Sequence, residues 1–110
     1  ANETSGLIIA TEVGSTTATL TGNTITDNTG AGIDLDTDSG ASGSDINLGN
    51  GTTGGNNSLH GNLGSDLVNG SGIDLLPAQG NWWGQAGGPI AGQITGANTV
   101  DSSNPLPSPP

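Results

Sequence analysis

The residues best suited to chemistry in this sequence are four aspartates in one short segment. Asp34, Asp36 and Asp38 alternate with other residues, and Asp45 follows Asp34 by eleven positions. Alternating carboxylates present oxygen atoms on one side of a loop, and oxygen atoms are the ligands that calcium takes. A solvated acidic loop has the same pattern, and glycine stands at position seven of this segment where a calcium loop has it at six. The segment predicts a calcium site, although the sequence requires no cofactor.

Asp34 and Asp74 are the carboxylates considered for catalysis. On neighbouring strands they would lie ~4.8 Å apart, close to the ~5–5.5 Å that retaining glycosidases need. The equivalent position in the first copy of the pattern is Ile8, however, and no Lys, Arg or Tyr is present to assist. His60 is the only histidine, and its strand-like surroundings predict a solvent-facing side chain. The sequence therefore predicts no catalytic residue and a chain that is not an enzyme.

The two tryptophans, Trp82 and Trp83, are adjacent and have two interpretations. Their rings could stack on sugars, which would make this a glycan-binding site. They could instead fold under the end of a thin apolar core and bury up to ~200 Å² per ring. We expect the pair to act mainly as a cap, so that replacing either ring destabilises the protein before it affects any glycan retention.

Short strands must position these side chains, because apolar residues recur in alternating groups bounded by glycine and asparagine. No segment has the period of a helix. Ser5–Ile9, Ala31–Leu35 and Ser71–Leu75 share one pattern, in which a small residue and glycine precede two apolar residues that flank a variable one. A second pattern links Asn23–Gly30 to Asn57–Gly64. Internal repetition of this kind predicts stacked layers of strands.

The repeats leave open which strands stack on one another. Their offsets are 26, 34 and 40 residues, so one layer contains an inserted loop, either Thr37–Gly43 or Gly51–Gly55. Ile33 could therefore stack on Leu67 or on Ile73. Either register gives about three layers.

Two asparagines occupy equivalent turns of the second pattern. Asn28 and Asn62 can tolerate the left-handed backbone conformation, which most other residues avoid. Stacked copies could also hydrogen-bond from one layer to the next.

Several strings resemble right-handed parallel β-helix repeats of secreted bacterial and archaeal proteins. The repeat-like strings are Gly22–Asn28 and Gly32–Leu35, and the ending is similar at Gly80–Gly84, Gly88–Pro89, Val100–Asp101 and Pro105–Leu106. The resemblance covers residues 5–106 approximately. It implies an all-β fold, a right-handed parallel β-helix (β-solenoid) of about three rungs, each rung being one turn of the coil, plus a C-terminal cap. Pectin-cleaving enzymes, tail-spike glycosidases, adhesins and structural surface proteins share that fold, so it names no activity.

The resemblance and the composition together divide the chain into three parts. Residues 1–84 are predicted to form the β-helix rungs. Residues 85–104 are predicted to be a C-terminal cap segment with a last strand pair, Ile90–Ile94 and Thr99–Asp101. Residues 105–110 are predicted to be a proline-rich linker or tail, because proline cannot donate to a strand ladder.

The charge of the chain restricts its partners. It has no Lys or Arg against ten Asp and Glu, a formal net charge of −10. Nucleic acid and anionic membrane surfaces are excluded as partners, since both require cationic side chains. The absence of cysteine fits an extracellular or cell-surface location, and no apolar run approaches the length that inserts into a membrane.

These observations predict a non-enzymatic, extracellular structural or adhesive β-helix module. Leu7, Ile8 and Ile9 begin near residue 1, with nothing before them to cover the core. The expected partners are therefore upstream rungs of the same polypeptide, or a second copy stacked end to end in a surface fibre. The alternative is a carbohydrate-binding or glycan-cleaving domain, whose partners would be glycans.

Overall fold

A computed structural model of the chain describes residues 5–10, 16–36, 45–50, 54–73, 75–96 and 99–110. In these ranges the fold is all-β, with nearly no helix, and no helix is long and apolar enough to cross a membrane. Glycine and asparagine interrupt each apolar group, so every strand has only two or three residues. The strands are β1 (Leu7–Ile9), β2 (Thr17–Thr19), β3 (Thr24–Ile25), β4 (Ile33–Leu35), β5 (Asp45–Asn47), β6 (Ser58–Leu59), β7 (Leu67–Asn69), β8 (Leu76–Pro77), β9 (Ile94–Thr95) and β10 (Val100–Asp101).

The described strands pair in parallel. β1, β4, β7 and β9 form one sheet in that order, and three smaller sheets pair β2 with β5, β3 with β6, and β10 with β8. The strands β1, β2, β3 and β4 each pair with the third strand after them. The chain therefore leaves a sheet, contributes to two others and returns beside its earlier strand, because parallel neighbours need a crossover connection.

The large sheet stacks apolar residues on one another. Leu7 pairs with Ile33, Ile33 with Leu67, and Leu67 with Ile94. This register decides between the two alternatives that the sequence left open: Ile33 stacks on Leu67 and not on Ile73.

The stretch from β4 to β6 contains more residues than the stretch from β1 to β3 with which it pairs. Most of the additional residues lie between β5 and β6. Ten residues separate these two strands, whereas four separate β2 from β3, with which they pair. The connection from β4 to β5 is only two residues longer than that from β1 to β2. After the insertion, the segments that lead into β3 and β6 are again in register. There the Gly22 N–H donates to the Gly55 carbonyl at 2.9 Å. Of the two predicted insertions, Gly51–Gly55 is thus the larger, although residues 51–53 lie outside the described part of the chain.

The core is a thin stack of aliphatic side chains with one tryptophan. Because side chains alternate along a strand, Ile33 and Leu35 are fully buried while Asp34 between them is half-buried. Each buried aliphatic side chain contributes ~1.5–3 kcal/mol. The buried apolar residues are Leu20, Ile33, Leu35, Ile46, Leu48, Leu59, Leu67, Leu76, Ala78, Trp83 and Val100.

The segment predicted as a cap adds strands to the sheets before it. β9 lies beside β7, and β10 lies beside β8. β9 overlaps the predicted strand Ile90–Ile94 only at Ile94, and β10 lies within the predicted Thr99–Asp101. The two strands belong to different sheets and do not pair with each other. In the proline-rich tail, the Leu106 N–H donates to the Asn81 carbonyl at 2.9 Å, so the start of the tail lies against the body of the protein.

Candidate functional site

Three asparagines lie one above another across the strand ladders, and we call them the first amide ladder. Asn23 donates its backbone N–H and its side-chain amide to Oδ1 of Asn57, at 2.9 and 3.1 Å. Asn57 donates in the same way to Oδ1 of Asn81, at 3.0 and 2.9 Å. Each oxygen thus accepts two hydrogen bonds from the asparagine that precedes it in the chain. The ladder has a direction, with donors on the N-terminal side and acceptors on the C-terminal side.

The side-chain amides of the first amide ladder also donate hydrogen bonds to backbone carbonyls at the ends of strands. The Asn57 amide donates to the Leu20 carbonyl at 2.9 Å. The Asn81 amide donates to the carbonyls of Leu48 and Ala78, both at 2.9 Å. Asn57 and Asn81 are fully buried. Unpaired polar groups at this depth would be costly, so the two amides are needed where they are.

A second amide ladder, formed by Asn28, Asn62 and Asp66, runs in the same direction. Asn28 donates its backbone N–H and side-chain amide to Oδ1 of Asn62, at 3.0 and 2.8 Å. Asn62 donates to Oδ1 of the buried Asp66, at 3.2 and 2.7 Å. The other Asp66 oxygen accepts the Gln93 amide at 2.8 Å, and that amide also donates to the Trp83 carbonyl. The second ladder therefore ends on a carboxylate. This confirms the expected hydrogen bond between Asn28 and Asn62.

The left-handed conformation, which Asn28 and Asn62 could tolerate, falls one position before each of them. The residues immediately before them, Asp27 and Gly61, have φ values of 63° and 73°. A left-handed residue turns the chain sharply and aims the next N–H and side chain along the ladder. The first amide ladder follows the same rule, since Gly22, Asn56 and Gly80 have positive φ and precede Asn23, Asn57 and Asn81.

Gly55 lies against the first amide ladder, and it must be glycine. A Cβ at this position would overlap the Leu48 carbonyl oxygen and Oδ1 of Asn81, and would stand 2.8 Å from Nδ2 of Asn57. The missing side chain lets the backbone approach the ladder closely. Sequence reasoning did not single out this glycine, Asn81, Asp66 or Gln93. The available signal was the recurrence of a left-handed residue type followed by asparagine.

We call β1, β2 and β3 the N-terminal edge, because among the described strands they pair on one side only. The Leu7 N–H donates to the Gly32 carbonyl, so the backbone groups of Ile8 point away from β4 in the alternation of a parallel ladder. The inward side chains of this edge are only half-buried, namely Leu7, Ile9, Ala18 and Ile25. Their pairing partners are at most 2 % exposed, namely Ile33, Leu35, Ile46 and Leu59. The N-terminal edge therefore exposes both apolar core and unpaired backbone.

The structure describes three of the four aspartates of the predicted calcium site, and Asp34 and Asp45 lie in different sheets. Asp34 is half-buried on β4, between Ile8 and Val68, while Asp45 is exposed at the start of β5 in another sheet. Asp36 is exposed just after β4, and Asp38 lies outside the described residues. Within the described ranges, no group of three or more Asp, Glu or His side chains is arranged to hold a metal ion.

The carboxylate pair considered for catalysis does not follow from the observed register. Val68, and not Asp74, is the partner of Asp34 in the neighbouring strand, and Asp74 itself lies outside the described residues. His60 is half-buried. A shallow concavity of about 240 Å³ near the C-terminus offers no titratable side chain among its lining residues, which are Pro89, Ile90, Ala91, Gly92, Ile94 and Ser102.

The two tryptophans differ in environment. Trp83 is fully buried in the core, and its Nε1–H has no hydrogen-bond partner. Trp82 is half-buried, and its backbone bridges to Ser58 in the β6 ladder. The Trp83 ring cannot stack on a sugar in this conformation, so the glycan-binding interpretation has only Trp82 available.

Asp101, on β10, accepts three hydrogen bonds that lower its pKa. Hydrogen bonds from the Ser103 hydroxyl at 2.6 Å, from the Gln79 amide at 2.6 Å and from the Ser103 N–H hold the pKa of Asp101 below its ordinary value of 3.8. All three donors favour the charged carboxylate. The network ties β10 to the segment that follows β8.

Comparison with known proteins gives no relative for this chain. No family model, no curated protein and no solved structure matches it. The functional argument therefore rests on the residues and on the geometry described above.

Proposed function

We propose that the chain is part of a right-handed parallel β-helix and works as a non-enzymatic structural or adhesive module at an extracellular surface. The observation that carries the proposal is the pair of amide ladders, which join parallel strands in register across successive layers. A coil of this kind places each strand beside the strand one turn later. Right-handedness follows from the strong preference of parallel crossover connections for that hand.

The proposed coil has four turns of unequal length. The first contains β1 to β3, and the second contains β4 to β6. The third contains β7, β8 and the Trp82 bridge to Ser58. The fourth contains β9, β10 and Leu106, which pair beneath the third. The buried side chains of Asn57, Asn81 and Asp66 take part in hydrogen bonds within the two amide ladders and with the backbone, which supports a structural role for them.

A structural role also fits the chemistry of the surface. The outer face of the large sheet presents Ile8, Asp34, Val68 and Thr95 in one row, without a second carboxylate beside Asp34. The sequence has no Lys, Arg, Cys or Tyr to act as base, nucleophile or oxyanion donor beside such a carboxylate. The extracellular location rests on the resemblance and the composition described above.

Hydrogen–deuterium exchange of the intact chain, with and without polysaccharides, tests this proposal. The backbone N–H of Asn57, which donates to Asn81, and that of Ile33, which donates to Asp66, should exchange slowly. The N–H of Ile8 should exchange quickly. Fast exchange at all three amides would contradict the stacked coil.

The polysaccharide arm separates the structural module from the carbohydrate alternative. We expect no polysaccharide to protect amides near Trp82 and none to be cleaved. Protection that disappears in Trp82→Ala, or release of reducing ends that disappears in Asp34→Asn, would overturn the proposal in favour of glycan binding or hydrolysis.

A further inference from the structure

The direction of the first amide ladder determines what can bind to the N-terminal edge. In each step, the asparagine nearer the N-terminus gives two hydrogen bonds, and the next one accepts both on Oδ1. Asn23 stands at the start of this series. It donates to Asn57 and to the Thr21 carbonyl, and its own Oδ1 accepts no hydrogen bond from any described residue. The exposed end of the ladder is thus an acceptor.

A structure that covers the N-terminal edge must therefore bring donors to Asn23. Resting on the proposed function, we propose that the N-terminal edge binds a further β-helix rung of the same repeat pattern, in which a left-handed residue is followed by asparagine. Such a rung would place a backbone N–H and a side-chain amide above Oδ1 of Asn23, as Asn23 does for Asn57. Its parallel strand would pair with the outward backbone groups of Ile8, and its apolar residues would cover Leu7 and Ile9.

The C-terminal ends of the two amide ladders in a second copy do not offer these donors. Both hydrogens of the Asn81 side-chain amide already bond to the carbonyls of Leu48 and Ala78. Leu106 occupies the Asn81 carbonyl from the other side. The second amide ladder ends on Asp66, whose carboxylate has no hydrogen to donate. Two copies of a chain with a net charge of −10 would also repel one another.

The test lengthens the chain by one rung and varies a single donor. A copy of residues 1–26 is fused before residue 1, because 26 residues separate the paired positions Leu7 and Ile33. The copied Asn23 then precedes the original Asn23 by one such interval. A second fusion has Asn23→Asp in the copied segment only, which keeps the shape and removes the side-chain donor. A third has Thr21→Asp in the copied segment, which adds the same charge at an exposed position.

The readouts are hydrogen exchange at Ile8 and sedimentation. The unmodified fusion and the Thr21→Asp fusion should slow exchange at Ile8 at least about tenfold relative to the 110-residue chain, whereas the Asn23→Asp fusion should lose most of that protection. The 110-residue chain should sediment as a monomer at all concentrations.

Two results would overturn the inference while leaving the proposed function intact. One is equal protection of Ile8 in the Asn23→Asp and unmodified fusions, which would mean that the ladder donor does not select the partner. The other is concentration-dependent assembly of the 110-residue chain that slows exchange at Ile8, which would identify a second copy as the occupant. Loss of slow exchange at Ile33 and Asn57 in the 110-residue chain would instead contradict the proposed function itself.

Discussion

At the residue scale, buried asparagine amides hydrogen-bond to backbone groups, as paired strands do elsewhere in the fold. The strands are too short to satisfy the backbone at every corner, and Asn57 and Asn81 supply the missing donors and acceptors. An aspartate has nearly the same shape and cannot donate from its side chain. Substitution of one atom therefore separates the hydrogen-bonding role of these residues from their packing.

Asn57→Asp should lower the free energy of unfolding by about 3 kcal/mol, because it buries a carboxylate that faces Oδ1 of Asn81 and the Leu20 carbonyl. Urea denaturation at pH 7 measures the effect. Asn56→Asp is the matched control, since Asn56 is the exposed neighbour and Asp tolerates its positive φ. The control should change stability by less than about 0.5 kcal/mol. Equal losses in the two variants would mean that the amide ladder contributes nothing specific.

Asp101 gives the molecule a pH-dependent contact between β10 and the segment after β8. Its pKa is lower in the folded protein than its ordinary value of 3.8, chiefly because Ser103 and Gln79 donate hydrogen bonds to it. A lowered folded-state pKa contributes stability that is complete above the unfolded value and is lost as the pH falls through the folded one.

Asp101→Asn should therefore be less stable than the wild type at pH 7, with a difference that shrinks once the pH falls below about 3.8. Denaturant midpoints between pH 7 and pH 2.5 measure this difference. Asp45→Asn removes the same charge from an exposed strand position and controls for the general effect of net charge. A wild-type advantage that persists unchanged at the lowest pH would rule out the proposed linkage.

At the scale of elements, Trp83 is the largest fully buried side chain and lies in the connection between β8 and β9. Trp83→Ala would remove contacts worth about 3–5 kcal/mol, which approaches the whole stability of a small domain. Trp83→Phe is more informative, because it keeps an aromatic ring and removes the buried Nε1–H that has no partner. We expect a loss of about 1–2 kcal/mol for this variant in thermal denaturation.

Trp82→Phe is the control for that substitution, since Trp82 is half-buried. It should cost less than about 1 kcal/mol. A larger loss from Trp82→Phe than from Trp83→Phe would contradict the expectation that the buried Trp83 ring contributes more to stability than Trp82.

Strand positions were predictable from the sequence because alternation leaves a direct mark on it. Ala31–Leu35 was predicted from two apolar residues that flank a variable one, and Ile33–Leu35 forms a strand with that burial pattern. The stacking of Ile33 on Leu67 was not predictable, because connections of unequal length separate equivalent strands and period alone could not assign the extra residues. The sequence predicted only part of the amide ladders. Asn28 and Asn62 shared a visible pattern, whereas Asp66 ends the same ladder from a different residue type.

The whole molecule carries ten acidic side chains and no Lys or Arg. Attractive ion pairs therefore contribute almost nothing, and most charge interactions are repulsive. Raising NaCl from 10 mM to 1 M shortens the Debye length from ~30 Å to ~3 Å. The melting temperature should then rise by about 5 °C as this repulsion is screened. A variant with Asp36→Asn and Asp45→Asn should show a smaller rise, and a fall in melting temperature with salt would contradict the expectation.

Calcium gives a separate measurement on the same charges. If Asp34, Asp36, Asp38 and Asp45 bind the ion, CaCl₂ should raise the melting temperature beyond MgCl₂ at equal ionic strength, and a chelator should reverse the effect. Calorimetry with no difference between the two salts would eliminate the calcium prediction.

The unequal spacing of the paired strands has a mechanical consequence. Leu7 and Ile33 are 26 residues apart, whereas Ile33 and Leu67 are 34 apart. In the proposed coil, each turn hydrogen-bonds mainly to the next turn. A chain pulled from its N-terminus would therefore release one turn, or layer, at a time. At ~3.5 Å per residue, layers of these sizes would add about 9 nm and 12 nm of contour length. A force–extension trace would then show two different step lengths, the shorter one first, as layers are released from the N-terminal edge.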